Sequence, residues 1–134
     1  MKHAPTLCGL TLILAGCQST PSFVEAPGAL GPYSDSVAHG SMVFLSGKIG
    51  ERGGLFTNEV STAIDAVEAS LRSHRLGLSD VVSVTVFLTD LDDYAAFNEV
   101  YAARFAAPYP ARAVAGSTAL PGGARVEIQA VAAR

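Results

Sequence analysis

Two charged residues near the end of the chain stand among neighbours that are almost all small or apolar. Arg112 follows Pro110-Ala111, and Glu127 lies between Val126 and Ile128. An arginine binds a carboxylate through two parallel N–H bonds and so fixes the plane of the anion. A glutamate partly withdrawn from water can serve as a general acid or base. Taken alone, each residue reads as a solvent-facing charge on a strand. In Val126-Glu127-Ile128-Gln129-Ala130, strict alternation sets Glu127 and Gln129 on the face away from Val126 and Ile128. If that face meets solvent, Glu127 is an ordinary surface residue. If it forms a seam between subunits, Glu127 is partly withdrawn from water, the setting acid/base work requires.

The other candidates are weaker. Beyond residue 17 the histidines are His39 and His74, far apart and without ligand spacing, so no metal site is expected. His74 reads as a solvated residue at a helix end. Residues 50–54, GERGG, lack the Lys-Ser/Thr of a phosphate loop and read as a turn. Asp90, Asp92 and Asp93 read as helix-start charges.

The elements that must position Arg112 and Glu127 follow from periodicity. Residues 37–46 predict two short strands around Gly40-Ser41. From Asn58, the spacing of Val60, Ala63, Ile64, Val67 and Leu71 predicts a helix, with Thr57 or Asn58 as its cap and Gly77 at its end. Val82, Val84, Val86 and Leu88 alternate with Ser83, Thr85 and Phe87 as a strand. Asp92 or Asp93 opens a second helix with Tyr94, Phe97, Tyr101 and Phe105 on its apolar side, ended by Pro108 and Pro110. Strands over residues 111–119 and 125–132 complete a β-β-α-β-α-β-β order. That order predicts an α+β fold: a mixed sheet with both helices on one face. Strands rich in Val and Ala on both sides leave the second face to be covered, most economically by further copies of the chain.

The chain has 134 residues, enough for one domain. A formal net charge of −3 with no Lys/Arg run argues against a nucleic-acid partner. Residues 1–16 have the layout of a secretory signal: basic Lys2 and His3, an apolar run, then small residues. Leu14-Ala15-Gly16-Cys17 resembles a bacterial lipobox. It implies cleavage before Cys17, lipidation of that residue, and anchoring to a bacterial membrane facing the periplasm. Gln18 favours the outer membrane. Residues 17–30, with Pro21, Pro27 and Gly28, read as the lipidated cysteine and a tether. The folded domain is then residues 31–134. With Cys8 removed and Cys17 acylated, no thiol is left for a disulfide, a metal or a nucleophile.

Residues 31–134 resemble the Rid family of reactive-intermediate deaminases (the YjgF superfamily). The matching stretches are Gly31-Pro32-Tyr33-Ser34, Val43-Phe44-Leu45-Ser46-Gly47, Thr85-Val86-Phe87-Leu88-Thr89-Asp90 and Phe97-Asn98-Glu99-Val100-Tyr101. Pro110-Ala111-Arg112 and Leu120-Pro121 leading to Val126-Glu127-Ile128 follow in order. The resemblance implies a chorismate-mutase-like fold and a homotrimer with sites in the clefts between subunits. It also implies hydrolysis of 2-enamino and 2-imino acids to 2-keto acids and ammonia, without a cofactor. By the same resemblance Arg112 holds the substrate carboxylate, Glu127 handles the water, and Tyr33, Ser46, Gly47 and Asn98 line the site. Val114, Asp35 and Lys48-Ile49-Gly50 depart from the family's usual residues, and the loop over residues 50–58 is short, so substrate preference is open. The rival reading is a non-catalytic trimeric module that binds a small carboxylate metabolite or an envelope partner. Arg112 serves both readings, and Glu127 favours the enzyme.

Overall fold

Val126, Ile128, Ala130 and Ala132 alternate with more polar or more exposed residues, and burying those four against a helix fixes the phase of the last strand. Everything else is arranged around that strand. The computed structural model describes residues 20–134. Its elements are β1 (Ser22–Val24), β2 (Ser36–His39), β3 (Met42–Leu45), β4 (Lys48–Ile49), α1 (Phe56–Arg72), β5 (Val81–Leu88), α2 (Tyr94–Arg104), β6 (Ala111–Gly116) and β7 (Val126–Ala133). The strands form one sheet in the order β1-β2-β3-β7-β5-β6, with β4 also paired to β7. Only β5 and β6 run parallel, joined through α2 as a parallel crossover requires.

Val60, Ala63, Ile64, Val67 and Leu71 of α1 form the expected apolar stripe, and all are buried. They share one core with Val84, Val86 and Leu88 of β5, the four β7 residues, and Phe97, Tyr101 and Phe105 from α2 and its end. The α+β architecture with helices on one face is therefore the observed one. The opposite face carries Val37, Phe44, Phe87 and Val131 and the exposed Ala111, Ala113 and Ala115, and nothing in the described chain packs over Phe44, which is 48% exposed. No helix among the described residues is long and apolar enough to cross a membrane. The signal segment and Cys17 lie outside the described residues.

The structure departs from the expected elements in several places. Residues 22–24, expected as tether, are a strand paired with β2, Phe23 opposite Val37. The two-residue β4 is also additional. Helix α1 begins at Phe56 behind Leu55, with no side-chain cap, so neither Thr57 nor Asn58 plays that part. Burial of Phe56 draws the helix start forward. At its other end Arg75, not Gly77, takes the left-handed conformation (φ 61°). Leu76 N–H donates to Leu71 O and Arg75 N–H to Arg72 O, both at 3.0 Å, closing the turn while Leu76 packs on the core. A register shift between Val81 and Ser83 turns Val82 outward, so Val81 takes the buried place expected of Val82. Strand β6 ends at Gly116, short of residue 119.

One buried charge anchors the loop region that precedes α1. Glu59 is 1% exposed, and its two carboxylate oxygens accept from Arg125 N–H and Arg125 Nε, each at 2.7 Å. Arg125 also donates to Gly54 O at 2.9 Å and lies over the Phe56 ring. The cluster ties the start of α1 to the start of β7. Arg125→Ala leaves a buried carboxylate with only a main-chain partner, so it is expected to lower unfolding free energy by about 3 kcal/mol. Urea titration of the variant against the wild type measures it.

Candidate active site

Glu127 sits on β7 opposite Ile49 of β4 and Phe87 of β5, on the face away from the helices. Between β3 and β4 the chain breaks at Ser46-Gly47. A Cβ at residue 47 would coincide with the Glu127 carboxylate, so glycine is what lets that carboxylate lie across the backbone there. Ser46 holds the break in place. Its N–H donates to Asp35 O at 3.0 Å, and its hydroxyl donates to Ser34 O at 2.6 Å. Tyr33 accepts from Leu30 N–H at 3.4 Å. Tyr33, Ser46, Gly47, Lys48, Arg52 and Glu127 line one cavity of about 920 Å³, and the segment after β1 forms another wall. Among the described residues the Glu127 carboxylate has no hydrogen-bond or ion-pair partner.

Beside this cavity Asp35 accepts from Lys48 Nζ at 2.5 Å and from the Ser70 hydroxyl at 2.6 Å. Burial pushes the Asp35 carboxyl upward, but the Lys48 and Ser70 hydrogen bonds and the Lys48 charge outweigh it and hold it below the ordinary carboxylate value. The neighbouring Ser36 hydroxyl pairs with His74 Nε2 at 2.8 Å. Partial burial, with the Arg134 cation adding to it and Asp35 opposing, pulls His74 below the usual histidine value. His74 is thus a half-buried partner of Ser36 rather than the solvated helix-end residue expected.

Arg112 lies elsewhere. It pairs with Val84 in the β5–β6 register and shares the helix-covered face with Val114. Its guanidinium lies over the Tyr101 ring at 4.6 Å and near Phe97 at 5.5 Å. Nη2 donates to Asn98 Oδ1 at 2.8 Å and to Tyr94 OH at 3.3 Å. Among the described residues no carboxylate pairs with it. Tyr101 is buried, its hydroxyl unpaired among the described residues, and burial pushes its phenol above the ordinary value, with Arg112 opposing and Tyr109 adding.

The residues expected in one site therefore fall into two groups within a single chain. Tyr33, Ser46, Gly47 and Glu127 come together at the cavity. Arg112 and Asn98 come together under α2, on the other face of the sheet. Tyr94 belongs to the second group, although the sequence marks it only as part of an apolar stripe; it is 43% exposed. Its i, i+4 spacing to Asn98 is the signal that places both on one side of α2. Lys48 and Arg52 carry no such signal.

A mixed sheet with two helices on one face, bearing a carboxylate cavity on one side and a clasped arginine on the other, defines a protein of the YjgF-type fold. The chain belongs to the endoribonuclease L-PSP family, whose model matches residues 23–134. It is 37% identical over 119 residues to the human 2-iminobutanoate/2-iminopropanoate deaminase, covering 83% of this chain and 86% of that protein. RidA from an Antarctic Psychrobacter superposes with a TM-score of 0.77 at 37% identity, covering 82% of this chain and 94% of that one. Escherichia coli TdcF with bound serine superposes with a TM-score of 0.74 at 36% identity and the same coverage.

The Asp35–Lys48 pair makes a prediction of its own. Because the folded state lowers the Asp35 pKa, its stabilising effect is present above the unfolded value of 3.8 and is lost as pH falls through the lower folded value. Lys48→Met removes the main lowering partner. Acid unfolding of that variant, followed by circular dichroism, is expected to have its midpoint at higher pH. The stability gap to the wild type should close once Asp35 is protonated in both.

Proposed function

We propose that the chain is an imine deaminase that hydrolyses 2-enamino and 2-imino acids to 2-keto acids and ammonia, at a site completed by a second copy of the chain. One observation carries this reading: Arg112 and Glu127 lie on opposite faces of one sheet, each furnished with neighbours and each without a charged partner among the described residues. A neighbouring subunit supplies the missing half. The bare apolar face supports such an assembly, and a homotrimer is the form the family resemblance favours. The human relative's name supports the reaction, and serine bound to TdcF supports a small carboxylate ligand.

The chemistry follows from the side chains. Arg112 takes the substrate carboxylate and fixes its plane, which also fixes the adjacent C=N bond. Glu127 of the neighbouring copy holds a water against the imine carbon and accepts its proton as the C–O bond forms. The resulting tetrahedral carbon carries a hydroxyl and an amino group. Starting from the protonated imine, Glu127 returns the proton to nitrogen, then takes the hydroxyl proton as the C–N bond breaks, so that ammonia leaves and the 2-keto acid remains. An enamine enters the same route after protonation at its outer carbon. The C=N bond is electrophilic already, so no cofactor takes part in this scheme.

Ammonia release from 2-iminobutanoate, generated in situ by an amino-acid oxidase, is the test. Arg112→Ala and Glu127→Ala are each expected to abolish the acceleration while the oligomer persists in sedimentation. Mixing the two variants and allowing subunits to exchange is expected to restore about a quarter of the wild-type rate under random assembly into trimers. Failure to restore any rate would place both groups in one copy and sink the shared site.

The reading includes an anchor. Residues 14–17 support lipidation at Cys17 and a periplasm-facing position on a bacterial membrane, with the outer membrane favoured, and the family match begins downstream at residue 23. Cys17→Ser is expected to move the protein from the membrane fraction to the soluble fraction or leave it unprocessed. Unaltered fractionation would count against the anchor.

A further inference from the structure

The hydrogen bonds already made by Arg112 restrict how it can accept an anion. A guanidinium has five N–H donors. It offers two parallel bonds along only two edges: Nε with Nη2, or Nη1 with Nη2. Both edges use Nη2. In this chain Nη2 already donates twice, to Asn98 Oδ1 at 2.8 Å and to Tyr94 OH at 3.3 Å. A carboxylate that binds through two prongs must displace one of these acceptors.

The two acceptors are not equal. The Asn98 bond is short and half-buried, and it holds the guanidinium against the faces of Tyr101 and Phe97. The Tyr94 bond is longer, lies on the exposed side, and ends on a neutral phenol whose residue is 43% exposed. Tyr94 is the group that yields. Its own O–H has no acceptor among the described residues, and it stands beside the N–H it would release. A bound carboxylate replaces a neutral acceptor with an anion, which strengthens the Arg112 bond.

Resting on the reading of Arg112 as the carboxylate group, we infer that Tyr94 is a substrate-binding residue whose hydroxyl reverses role. It accepts from Arg112 Nη2 when the site is empty and donates to the substrate carboxylate when it is filled. Asn98 is the positioning residue that keeps Arg112 oriented throughout. The site is thereby specialised for ligands with a free carboxylate next to the reacting carbon, because an amide or ester accepts the Tyr94 proton only weakly.

Tyr94→Phe removes one oxygen from an exposed ring, so the fold is retained. Two measurements read its effect: KM and kcat for 2-iminobutanoate, and the Kd of 2-oxobutanoate by calorimetry on the assembled protein. KM and Kd are expected to rise about fivefold to tenfold, with kcat falling less than about twofold. In an Arg112→Lys background, where the fork is gone, the same Tyr94→Phe change should alter Kd by less than about twofold. A Tyr94→Phe variant that binds 2-oxobutanoate as tightly as the wild type or more tightly overturns the inference, as does an equal loss in the Arg112→Lys background. If Arg112→Ala itself leaves Kd and KM where they were, the carboxylate reading of Arg112 fails and the Tyr94 inference falls with it. If Arg112→Ala weakens binding but Tyr94→Phe does not, only the Tyr94 inference fails.

Discussion

Alternation along three neighbouring strands is the constraint from which the site follows. Val126, Ile128, Ala130 and Ala132 must face α1 to build the core, so Glu127 must face the other way. Val84, Val86 and Leu88 take the same helix-covered face in β5, a phase set by the outward turn of Val82. Strand β6 reads its phase from β5 through parallel pairing, and Val114 packs on the core, so Arg112 points under α2. A slip of one residue in β7 would drive Glu127 into the core and Ile128 into solvent. Hydrophobic burial thus enforces the separation of the two charges, and no side-chain rotation within one chain brings them together.

The pattern of charge pairing separates structural groups from groups available to a ligand. Glu59 is almost fully buried and meets Arg125 with both oxygens. Asp35 meets Lys48 and Ser70. Arg104 meets Asp65 and Glu68 on the surface between the helices. The first two are the arrangements expected where an unpaired buried charge would be costly. Arg112 and Glu127 break the pattern. Arg112 is held by a neutral amide, a neutral phenol and aromatic faces, which orient the cation without neutralising it. Glu127 is placed by shape, across a residue that has no side chain. Both are oriented and, among the described residues, uncompensated, the condition a preorganised site requires.

What is legible in the sequence is what carries a period. The stripe from Val60 to Leu71 and the alternation in β7 give their elements directly. β1 and β4 have three and two residues, too few for a period, and exist because partner strands supply hydrogen bonds. The ends of α1 differ from expectation because burial of Phe56 outweighs the capping preference of Thr57 or Asn58, and because Arg75 adopts the conformation expected of Gly77. Arg112 and Glu127 are visible as exceptions in apolar strands. Their separation is not, because it depends on β5 pairing parallel with β6 and antiparallel with β7. Glu59 gives no signal of its own because its partner Arg125 is 66 residues away.

The proposed division of the site between subunits would explain why the open sheet face can remain apolar without being a liability. Phe44 and Phe87 lie on the same sheet face as Glu127. In the proposed assembly, burial of that face drives association, and association brings an arginine from one copy to a carboxylate from the next. Under that proposal, water excluded from the seam would leave the two charges in a less polar medium, where each acts more strongly on a bound imine. A substitution at the seam far from either charge, at Phe44 for example, would disturb the site through assembly rather than through its chemistry.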